Sequence, residues 1–359
     1  MVIVWFGVLF LSFYFLAKIV DDFFVFSLEK ISKKLKMSSN VAGATLMAVG
    51  SSAPELFVSL LALIKPGSHE AVGMGTIVGS ALFNVLVIVG VSAIVKTAIL
   101  SWKPVVRDTL FYVASIILLL TFFWNGKISL IEAAILVILY FVYILAVIYW
   151  DKILPSKKTR QPKKKSKIRQ SKGKKSSQEN SKPSKTGLKK ISSAILKKIF
   201  PSKKHFYLIF IISIIYIAGL SWVLVESAIE VARFLNIPSA IIALTVLAVG
   251  TSIPDLMSSV IVARKGRGGM AISNAIGSNV FDILIGLGFP WALMILIQPQ
   301  RHISVSTENL LSSIILLFAT VLVIFFLLMI QRWKIGKYGG WFLVILYIGY
   351  LIWAIGRVM

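Results

Sequence analysis

The chain has 359 residues, of which 57% are hydrophobic and only 15% are charged, with a mean hydropathy of +0.87 and a formal net charge of +25. A soluble protein is about 45–50% apolar and about 25% charged, so this composition argues strongly against a soluble two-domain enzyme. The chain has no cysteine and only three histidines. Disulfides, cysteine nucleophiles and thiolate metal sites are therefore excluded, and a zinc centre is disfavoured.

The positive charge is concentrated in one segment. Residues 151–204 hold 20 of the 39 Lys and Arg against two acidic residues, and they are rich in Ser, Gln and Pro. Such a segment cannot bury enough apolar surface to offset its chain entropy. We therefore expect three parts: an apolar block at 1–150, a basic and largely disordered linker at 151–205, and a second apolar block at 206–359.

Each apolar block contains five segments long enough to cross a bilayer, because a spanning helix needs about 20 mostly apolar residues. Continuous apolar runs favour helices over the alternating strands of a β-barrel. The first segment is interpreted as a span and not as a cleaved signal peptide, since it lacks basic residues at its start and is too long. The ten predicted spans, numbered in chain order, are residues 2–26, 40–64, 71–95, 106–124, 128–150, 206–232, 238–263, 271–297, 308–330 and 338–356.

Loop charges predict the orientation. Alternate loops are rich in Lys and Arg, as is the linker, whereas the intervening loops carry one basic residue each. The positive-inside rule then gives a multi-pass protein of the cell membrane with a cytoplasmic linker and both termini extracellular. The basic residues counted in the small cytoplasmic loops are Lys30, Lys33, Lys34, Lys36, Lys96, Lys103, Arg107, Arg264, Lys265, Arg267, Arg332, Lys334 and Lys337.

The linker has two possible roles. Its lysines could adsorb to anionic lipid at the inner membrane surface, or the linker could be an unbound tether whose charge follows from topology alone. It lacks the interleaved aromatic residues of a nucleic-acid binder, so no nucleic-acid partner is expected.

Two sequence motifs recur in both blocks. GSSAPEL at 50–56 recurs as GTSIPDL at 250–256, and GSALFN at 79–84 recurs as GSNVFD at 277–282. Two matches in the same order indicate internal duplication. Because each unit has five spans, the second must be inverted, which is typical of secondary transporters with a site near the bilayer midplane. The predicted fold is an all-α polytopic membrane protein of ten helices, built as two inverted five-helix repeats with broken helices at the ion site.

The first motif places a proline and a carboxylate within an apolar span. The proline lacks an N–H and should break the helix, which frees the carbonyl oxygens of 48–51 and 248–251 as ligands. Glu55 and Asp255 come directly after the prolines. A charge at mid-bilayer costs at least ~2.5 kcal/mol, so such residues are functional by default. Two carboxylates with carbonyl and hydroxyl oxygens suit Ca²⁺ better than Mg²⁺.

The second motif adds neutral oxygen atoms. Ser80 and Asn84 are four residues apart, as are Ser278 and Asp282, so each pair lies on one helix face. Neutral oxygens suit Na⁺, and Asp282 adds a third buried negative charge. Three carboxylates balance Ca²⁺ plus one monovalent cation, which permits K⁺ co-transport without requiring it, because Asp282 could hold a proton instead.

Several alternatives stay open from the residues alone. A proton could replace Na⁺ as the counter-ion, which would make the protein a H⁺/Ca²⁺ exchanger. A cation channel would use the same oxygens without counter-ion coupling. Asn279 is either a hydrogen-bonding residue between helices or a ligand, and its repeat partner is Ala81.

These motifs resemble the α-repeats of the cation/calcium exchanger superfamily, and most closely those of potassium-dependent sodium/calcium exchangers, here of a compact prokaryotic type. The resemblance rests on residues 50–57, 250–255, 261–266 and 277–282 and extends over both apolar blocks. It implies an antiporter without enzymatic activity or cofactor, which exchanges Na⁺ for Ca²⁺ together with K⁺ by alternating access.

The resemblance also implies roles for individual residues. Glu55 and Asp255 would bind Ca²⁺, and Asp282 would confer dependence on K⁺. The other implied ligands line the Na⁺ and Ca²⁺ sites through side chains or, at the two alanines, through main-chain oxygens; they are Ser51, Ser52, Ser80, Asn84, Thr251, Ser252, Ser278, Ala48 and Ala248.

Overall fold

The prediction of ten membrane-crossing spans is confirmed. The computed structural model describes residues 2–35, 37, 41, 43–65, 69–153, 196, 199–202, 204–298, 303–304 and 307–356, so most of the predicted linker lies outside the described residues. Within this part of the chain, nine helices are long and apolar enough to cross a membrane, and a helix pair bent by 50° makes a tenth. Spans 1–10 cover residues 3–28, 44–64, 70–95, 102–122, 130–150, 206–235, 239–264, 268–297, 310–330 and 337–356.

Several spans consist of two or three consecutive helical segments. The α-helices of the first half are Val2–Ile19, Val25–Lys34, Ala48–Ser51, Ala53–Ile64, Glu70–Phe83, Val89–Val95, Trp102–Phe122 and Leu130–Ile153. Those of the second half are Phe206–Leu235, Ser239–Ile242, Ala248–Thr251, Ile253–Arg264, Gly268–Phe281, Gly288–Ile297, Thr307–Ile330 and Lys337–Gly356. A turn of 3-10 helix at Phe123–Asn125 ends span 4.

Wide π-helical turns recur at matching places in the two halves. One precedes each first motif, at Gly43–Met47 and Ala243–Leu247, and one ends each second motif, at Asn84–Ile88 and Asp282–Leu287. A further π turn lies in span 1 at Val20–Phe24. Such turns are rare and concentrate at functional sites, and here the two halves have kept them at the same distance from the motifs.

Two short strand pairs show how the halves are oriented. Strand β1 (Ala98–Ile99), between spans 3 and 4, pairs with β4 (Lys334–Ile335), between spans 9 and 10. Strand β2 (Lys127–Ile128), between spans 4 and 5, pairs with β3 (Ile303–Ser304), between spans 8 and 9. The repeat counterpart of the loop between spans 3 and 4 is the loop between spans 8 and 9, and that of the loop between spans 4 and 5 is the loop between spans 9 and 10. Each strand pair therefore joins loops that are not counterparts. This exchange is expected if ten crossings place the second half upside down relative to the first.

Side-chain packing divides the spans into two groups. Spans 1 and 6 share one apolar cluster with one face of spans 2 and 7, while the second cluster joins spans 3, 4, 5, 8, 9 and 10 to other residues of spans 2 and 7. Two residues at the end of the predicted linker, Leu196 and Phe200, are buried in the first cluster, where Phe200 stacks on Phe23 at 3.8 Å between ring centroids. The second apolar block therefore begins to pack before residue 206.

One residue assigned to a cytoplasmic loop lies elsewhere. Arg107 is inside the helix of span 4 and only 4% exposed. Its Nε donates to Oδ1 of Asp108 at 2.7 Å, and its guanidinium lies 5.9 Å from the ring centroid of Trp150. Asp108 also accepts from Tyr143 Oη at 3.3 Å and from Ser273 Oγ at 3.4 Å. The counting of Arg107 as a loop charge was wrong, because its neighbour Asp108 neutralises it within the fold.

The Arg107–Asp108 pair gives a prediction for stability. In Asp108→Ala the guanidinium keeps its burial and loses its counter-charge, which costs about 3–5 kcal/mol of unfolding free energy. The matched control is Glu230→Ala, which removes the carboxylate of the more exposed Glu230–Arg233 pair and costs about 1 kcal/mol or less. Thermal unfolding of the detergent-purified variants compares the two. Equal melting temperatures would show that the buried pair does not stabilise the fold.

Candidate cation-binding site

Spans 2 and 7 are interrupted at the same residue of the repeated motif. Ser52 and Ser252 have nearly the same backbone angles, φ −91° and ψ 7° against φ −84° and ψ 1°, and each separates two helical segments. The motif prolines Pro54 and Pro254 lie in the first turn of the following segment, where a missing N–H costs nothing. The predicted helix breaks are therefore present in both halves.

The main-chain oxygens expected as ligands are partly used within the helices. Ala48 O accepts from Ser52 N at 2.9 Å, and Ala248 O accepts from Ser252 N at 3.2 Å. The second lone pair of each oxygen meets only a long contact of 3.4 Å, from Ser51 Oγ at Ala48 O and from Thr251 Oγ1 at Ala248 O. A ligand role for both alanines stays a prediction.

Two glycines bring the halves together backbone to backbone. A Cβ at Gly79 of span 3 would overlap the carbonyl oxygen of Leu244 in span 7, and one at Gly277 of span 8 would lie 2.9 Å from the carbonyl oxygen of Ala44 in span 2. Leu244 and Ala44 are themselves repeat equivalents, so the two contacts are related by the internal symmetry. This close approach places Ser80, the residue after Gly79, against Ser252 in the motif of the other half, whereas Ser278 donates to Asp255 of its own half.

Glu55 and Asp282 meet at the hydroxyl of Ser80. Both carboxylates are fully buried. Glu55 Oε1 accepts from Ser252 Oγ at 3.1 Å and from Ser80 Oγ at 3.4 Å, while Asp282 Oδ2 lies 3.4 Å from Ser80 Oγ. The two hydroxyl oxygens are 2.7 Å apart. The four residues come from spans 2, 3, 7 and 8, so this cluster exists only where the two halves meet.

Asp255 lies in an adjoining cluster. It is fully buried, and its Oδ1 accepts from Ser278 Oγ at 2.9 Å while its Oδ2 lies 3.4 Å from Asn84 Nδ2. Ser51 lies beside Asp255, and Thr251 lies beside Glu55, so each approaches the carboxylate of the opposite half. Their hydroxyls donate to main-chain oxygens of their own helix, Met47 O at 2.8 Å and Leu247 O at 3.1 Å. Asp255 is thus surrounded by donors, whereas Glu55 keeps one oxygen without a partner.

Several buried oxygens in this region have no hydrogen-bond partner among the described residues. They are Ser52 Oγ, Glu55 Oε2, Asn84 Oδ1 and Asp282 Oδ1. None of the ion pairs in the described part of the chain involves Glu55, Asp255 or Asp282. A buried polar atom without a partner costs about 1–3 kcal/mol, and more when it is charged. A bound cation is the natural partner for such a group of oxygens.

The structure brings together the side chains predicted for the site, midway along spans 2, 3, 7 and 8. The described residues contain no group of three or more acidic, His or Cys side chains with the geometry of a single metal centre. The carboxylates are instead distributed over two adjoining clusters, as expected for neighbouring subsites and not for one resident ion.

Sequence reasoning missed one residue of the site and left another undecided. Asn274 is fully buried, donates to Ser259 Oγ at 3.1 Å and faces Asp255; its position four residues before Ser278 was an available signal. Asn279 donates to Ala81 O at 3.0 Å and Tyr112 Oη at 2.9 Å, and its Oδ1 accepts from Asn84 Nδ2 at 2.9 Å. These bonds use its donors on protein groups, which favours the interpretation as a hydrogen-bonding residue between helices.

Two inverted sets of five spans that meet around buried carboxylates, next to broken helices, define a secondary membrane transporter. The profile described as "Sodium/calcium exchanger protein" matches residues 5–149 and 205–356, which is most of the chain. The chain therefore belongs to the sodium/calcium exchanger family.

Relatives of known name and structure support this assignment. The chain is 30% identical to sodium/potassium/calcium exchanger 2 of Gallus gallus, over 94% of this chain and 74% of that protein. It is 29% identical to sodium/potassium/calcium exchanger 4 of Mus musculus, over 96% and 79%. The sodium-calcium exchanger NCX_Mj, soaked with Na⁺ and Sr²⁺, superposes with a TM-score of 0.61 at 26% identity, over 97% of this chain and 98% of that one.

Proposed function

We propose that this protein is an antiporter that exchanges Na⁺ for Ca²⁺ across the membrane and carries K⁺ together with Ca²⁺. The observation that carries the proposal is the set of three fully buried carboxylates, Glu55, Asp255 and Asp282, that have hydroxyl and amide neighbours but no basic partner among the described residues. Inorganic cations then supply the missing positive charge. The names of the relatives agree with Na⁺, Ca²⁺ and K⁺ as these cations.

The chemistry of the oxygens favours Ca²⁺ and Na⁺ over transition metals. The proposed ligands are carboxylate, hydroxyl, amide and main-chain oxygens, and the chain has no cysteine. Ca²⁺ takes 6–8 oxygens in flexible geometry, which an interface between four spans can supply. Three negative charges are balanced by one Ca²⁺ and one monovalent cation, so K⁺ beside Asp282 completes the charge balance.

Competition between Na⁺ and Ca²⁺ follows from the hydroxyl of Ser80, which the two carboxylates share. Ser80 Oγ lies within 3.4 Å of carboxylate oxygens from both Glu55 and Asp282. A cation bound in either position changes the orientation of this hydroxyl and the field at the other. Subsites coupled in this way bind the two kinds of cation alternately, as an exchanger requires.

The two packing clusters support alternating access to the site from the two sides of the membrane. Spans 1 and 6 belong to a different cluster from most of the bundle, and they pack against one face of the site-bearing spans 2 and 7. We propose that the pair of spans 1 and 6 slides along this face while the site stays in place. Lys65 of the loop after span 2 pairs with Glu226 of span 6, and this contact breaks when the pair slides.

Flux in proteoliposomes tests the proposed exchange. Vesicles loaded with Na⁺ and placed in Ca²⁺ should take up Ca²⁺, and external K⁺ should raise the rate. Uptake driven only by a pH gradient would identify a H⁺/Ca²⁺ exchanger. Ca²⁺ entry without any counter-ion gradient would identify a channel. Either outcome would overturn the proposal.

We also propose the orientation and the division of the chain. The basic loops and the linker at 151–205 lie in the cytoplasm of a cell-membrane protein and join the five-helix repeats at 1–150 and 206–359, and both chain termini are extracellular. The linker lysines contact anionic lipid of the inner leaflet, at about 1 kcal/mol per basic residue near the surface. The strand pairs support the relative sides of the loops.

The absence of cysteine makes the orientation testable. In intact cells, Trp124→Cys, at a position 88% exposed beside the loop between spans 4 and 5, should react with a membrane-impermeant maleimide. Ser181→Cys in the linker should react only after permeabilisation. The unmodified chain, which has no thiol, is the control. The reverse pattern of labelling would show that the linker is extracellular.

A further inference from the structure

Asn279 lies at the contact between the two halves and is fully buried. Its amide makes three short hydrogen bonds, of 2.9–3.0 Å, to Ala81 O, Tyr112 Oη and Asn84 Nδ2. Ala81 occupies the position equivalent to Asn279 in the first half. The Asn279 side chain of the second repeat is therefore held by the main chain of Ala81, its counterpart in the first repeat.

These bonds determine which atom of each amide points where. A main-chain carbonyl only accepts hydrogen bonds, so the atom of Asn279 that faces Ala81 O is the nitrogen. The oxygen of Asn279 then faces Asn84, which must present its own nitrogen. Asp255 Oδ2, also an acceptor, lies 3.4 Å from that same nitrogen. Asn84 Oδ1 is left as the buried atom without a partner.

We propose that Asn279 is a positioning residue that holds the Asn84 amide with its oxygen turned toward the bound cation. This inference rests on the proposed function only in so far as a cation occupies the site. Without Asn279, the Asn84 amide keeps only the long 3.4 Å contact of its nitrogen with Asp255 Oδ2, so it rotates more easily by a half-turn and presents its nitrogen, which repels a cation. Asn279 thus acts on cation affinity without touching the cation.

The same contact distinguishes the two halves of the site. Asn84 and Asp282 are repeat equivalents. An amide needs a neighbour to set its orientation because its two ends differ, whereas a carboxylate presents oxygen at both ends. Asn279 is the neighbour that sets the orientation of the Asn84 amide, whereas its counterpart Ala81 offers no side-chain partner to Asp282. Asn279 is therefore present in the second repeat because the first repeat has an amide, Asn84, whose orientation must be set.

A double-mutant cycle on cation affinity tests the proposal. Calorimetry of the detergent-purified full chain gives Kd for Ca²⁺ and for Na⁺ in the wild type, Asn279→Ala, Asn84→Ala and the double variant. Asn279→Ala should weaken binding about tenfold on its own and less than twofold in the Asn84→Ala background, because it acts through the Asn84 oxygen. Asn279→Leu, which fills the space, should behave as Asn279→Ala does.

Two results would overturn the proposal. Asn279→Ala and Asn279→Leu could both leave Kd unchanged, or the loss could be equally large when Asn84 is already alanine, as a purely structural role requires. The binding assay does not depend on exchange. A wild type that binds Ca²⁺ or Na⁺ but exchanges neither would refute the proposed function and leave the cycle interpretable.

Tyr112 provides a graded comparison. Tyr112→Phe removes one acceptor of the Asn279 amide and leaves Ala81 O in place, so we expect a loss in affinity of about two- to threefold. Tyr347→Phe is the matched control, because its buried hydroxyl has no partner among the described residues and should leave Kd unchanged. A larger loss for Tyr347→Phe than for Tyr112→Phe would count against the assigned network.

Discussion

Replacement of either motif carboxylate, as Glu55→Gln or Asp255→Asn, is expected to reduce Ca²⁺ transport by roughly 10²–10³-fold. Both side chains are fully buried and none of the described ion pairs includes them. A desolvated divalent ion that loses one of its counter-charges is destabilised by about 3–5 kcal/mol, and each 1.4 kcal/mol is a factor of ten in affinity.

The two variants should still fold, because the replacements preserve shape and relieve repulsion between carboxylates. In Asp255→Asn the side-chain oxygen can still accept from Asn84 Nδ2, while the hydroxyl of Ser278 can rotate and accept from the new amide. Glu55→Gln keeps an oxygen that accepts from Ser252. We therefore expect each variant without Ca²⁺ to be at least as stable as the wild type.

Two measurements separate loss of the site from loss of the fold. Proteoliposome flux reports transport, and thermal unfolding with increasing Ca²⁺ reports binding, since a ligand that binds only the folded state raises its stability. Ca²⁺ should raise the melting temperature of the wild type but not of either variant. Glu132→Gln is the matched control, because its carboxylate caps the start of span 5 outside the site. Near-normal flux in both site variants would refute the assignment of the site.

Ten spans and the central residues of the site could be predicted because both signals are local. Each span is a long apolar run, and each motif carboxylate interrupts such a run at its middle. The repeat predicts that the equivalent residues Glu55 and Asp255 face each other; the contact of Glu55 with Asp282 at the Ser80 hydroxyl was not predicted, because it joins the first motif of one half to the second motif of the other. The division of the three carboxylates into two clusters could not be predicted either. It depends on how closely span 3 approaches span 7 and how closely span 8 approaches span 2.

What the sequence could not supply are contacts between residues distant in the chain. Asp108 and Arg107 look like charges at the start of a span, and the predicted start at residue 106 was four residues late, because Lys103 and Pro104 lower the local hydropathy before it. Their burial depends on Tyr143 and Ser273 from two other spans. The role of Asn279 likewise depends on Ala81 and Tyr112, and its repeat counterpart offers no guide.

The second large effect is expected at Asp282, the only one of the three site carboxylates whose repeat equivalent, Asn84, is neutral. Its Oδ2 lies 3.4 Å from Ser80 Oγ, and its Oδ1 has no partner among the described residues. With Ca²⁺ bound at Glu55 and Asp255, Asp282 is the remaining negative charge. A monovalent cation beside it completes the balance, and the π turn that begins at Asp282 gives the wide backbone geometry next to that position.

In Asp282→Asn the site carries two negative charges, which Ca²⁺ alone balances. We therefore expect Na⁺-driven Ca²⁺ uptake in this variant to be the same with external K⁺ and with an impermeant organic cation, whereas uptake by the wild type should rise severalfold with K⁺. Glu132→Gln is again the matched control, because it neutralises a carboxylate outside the site and should leave the response to K⁺ unchanged. A wild type that is already indifferent to K⁺ would show that Asp282 holds a proton, and the proposal of K⁺ co-transport would be wrong.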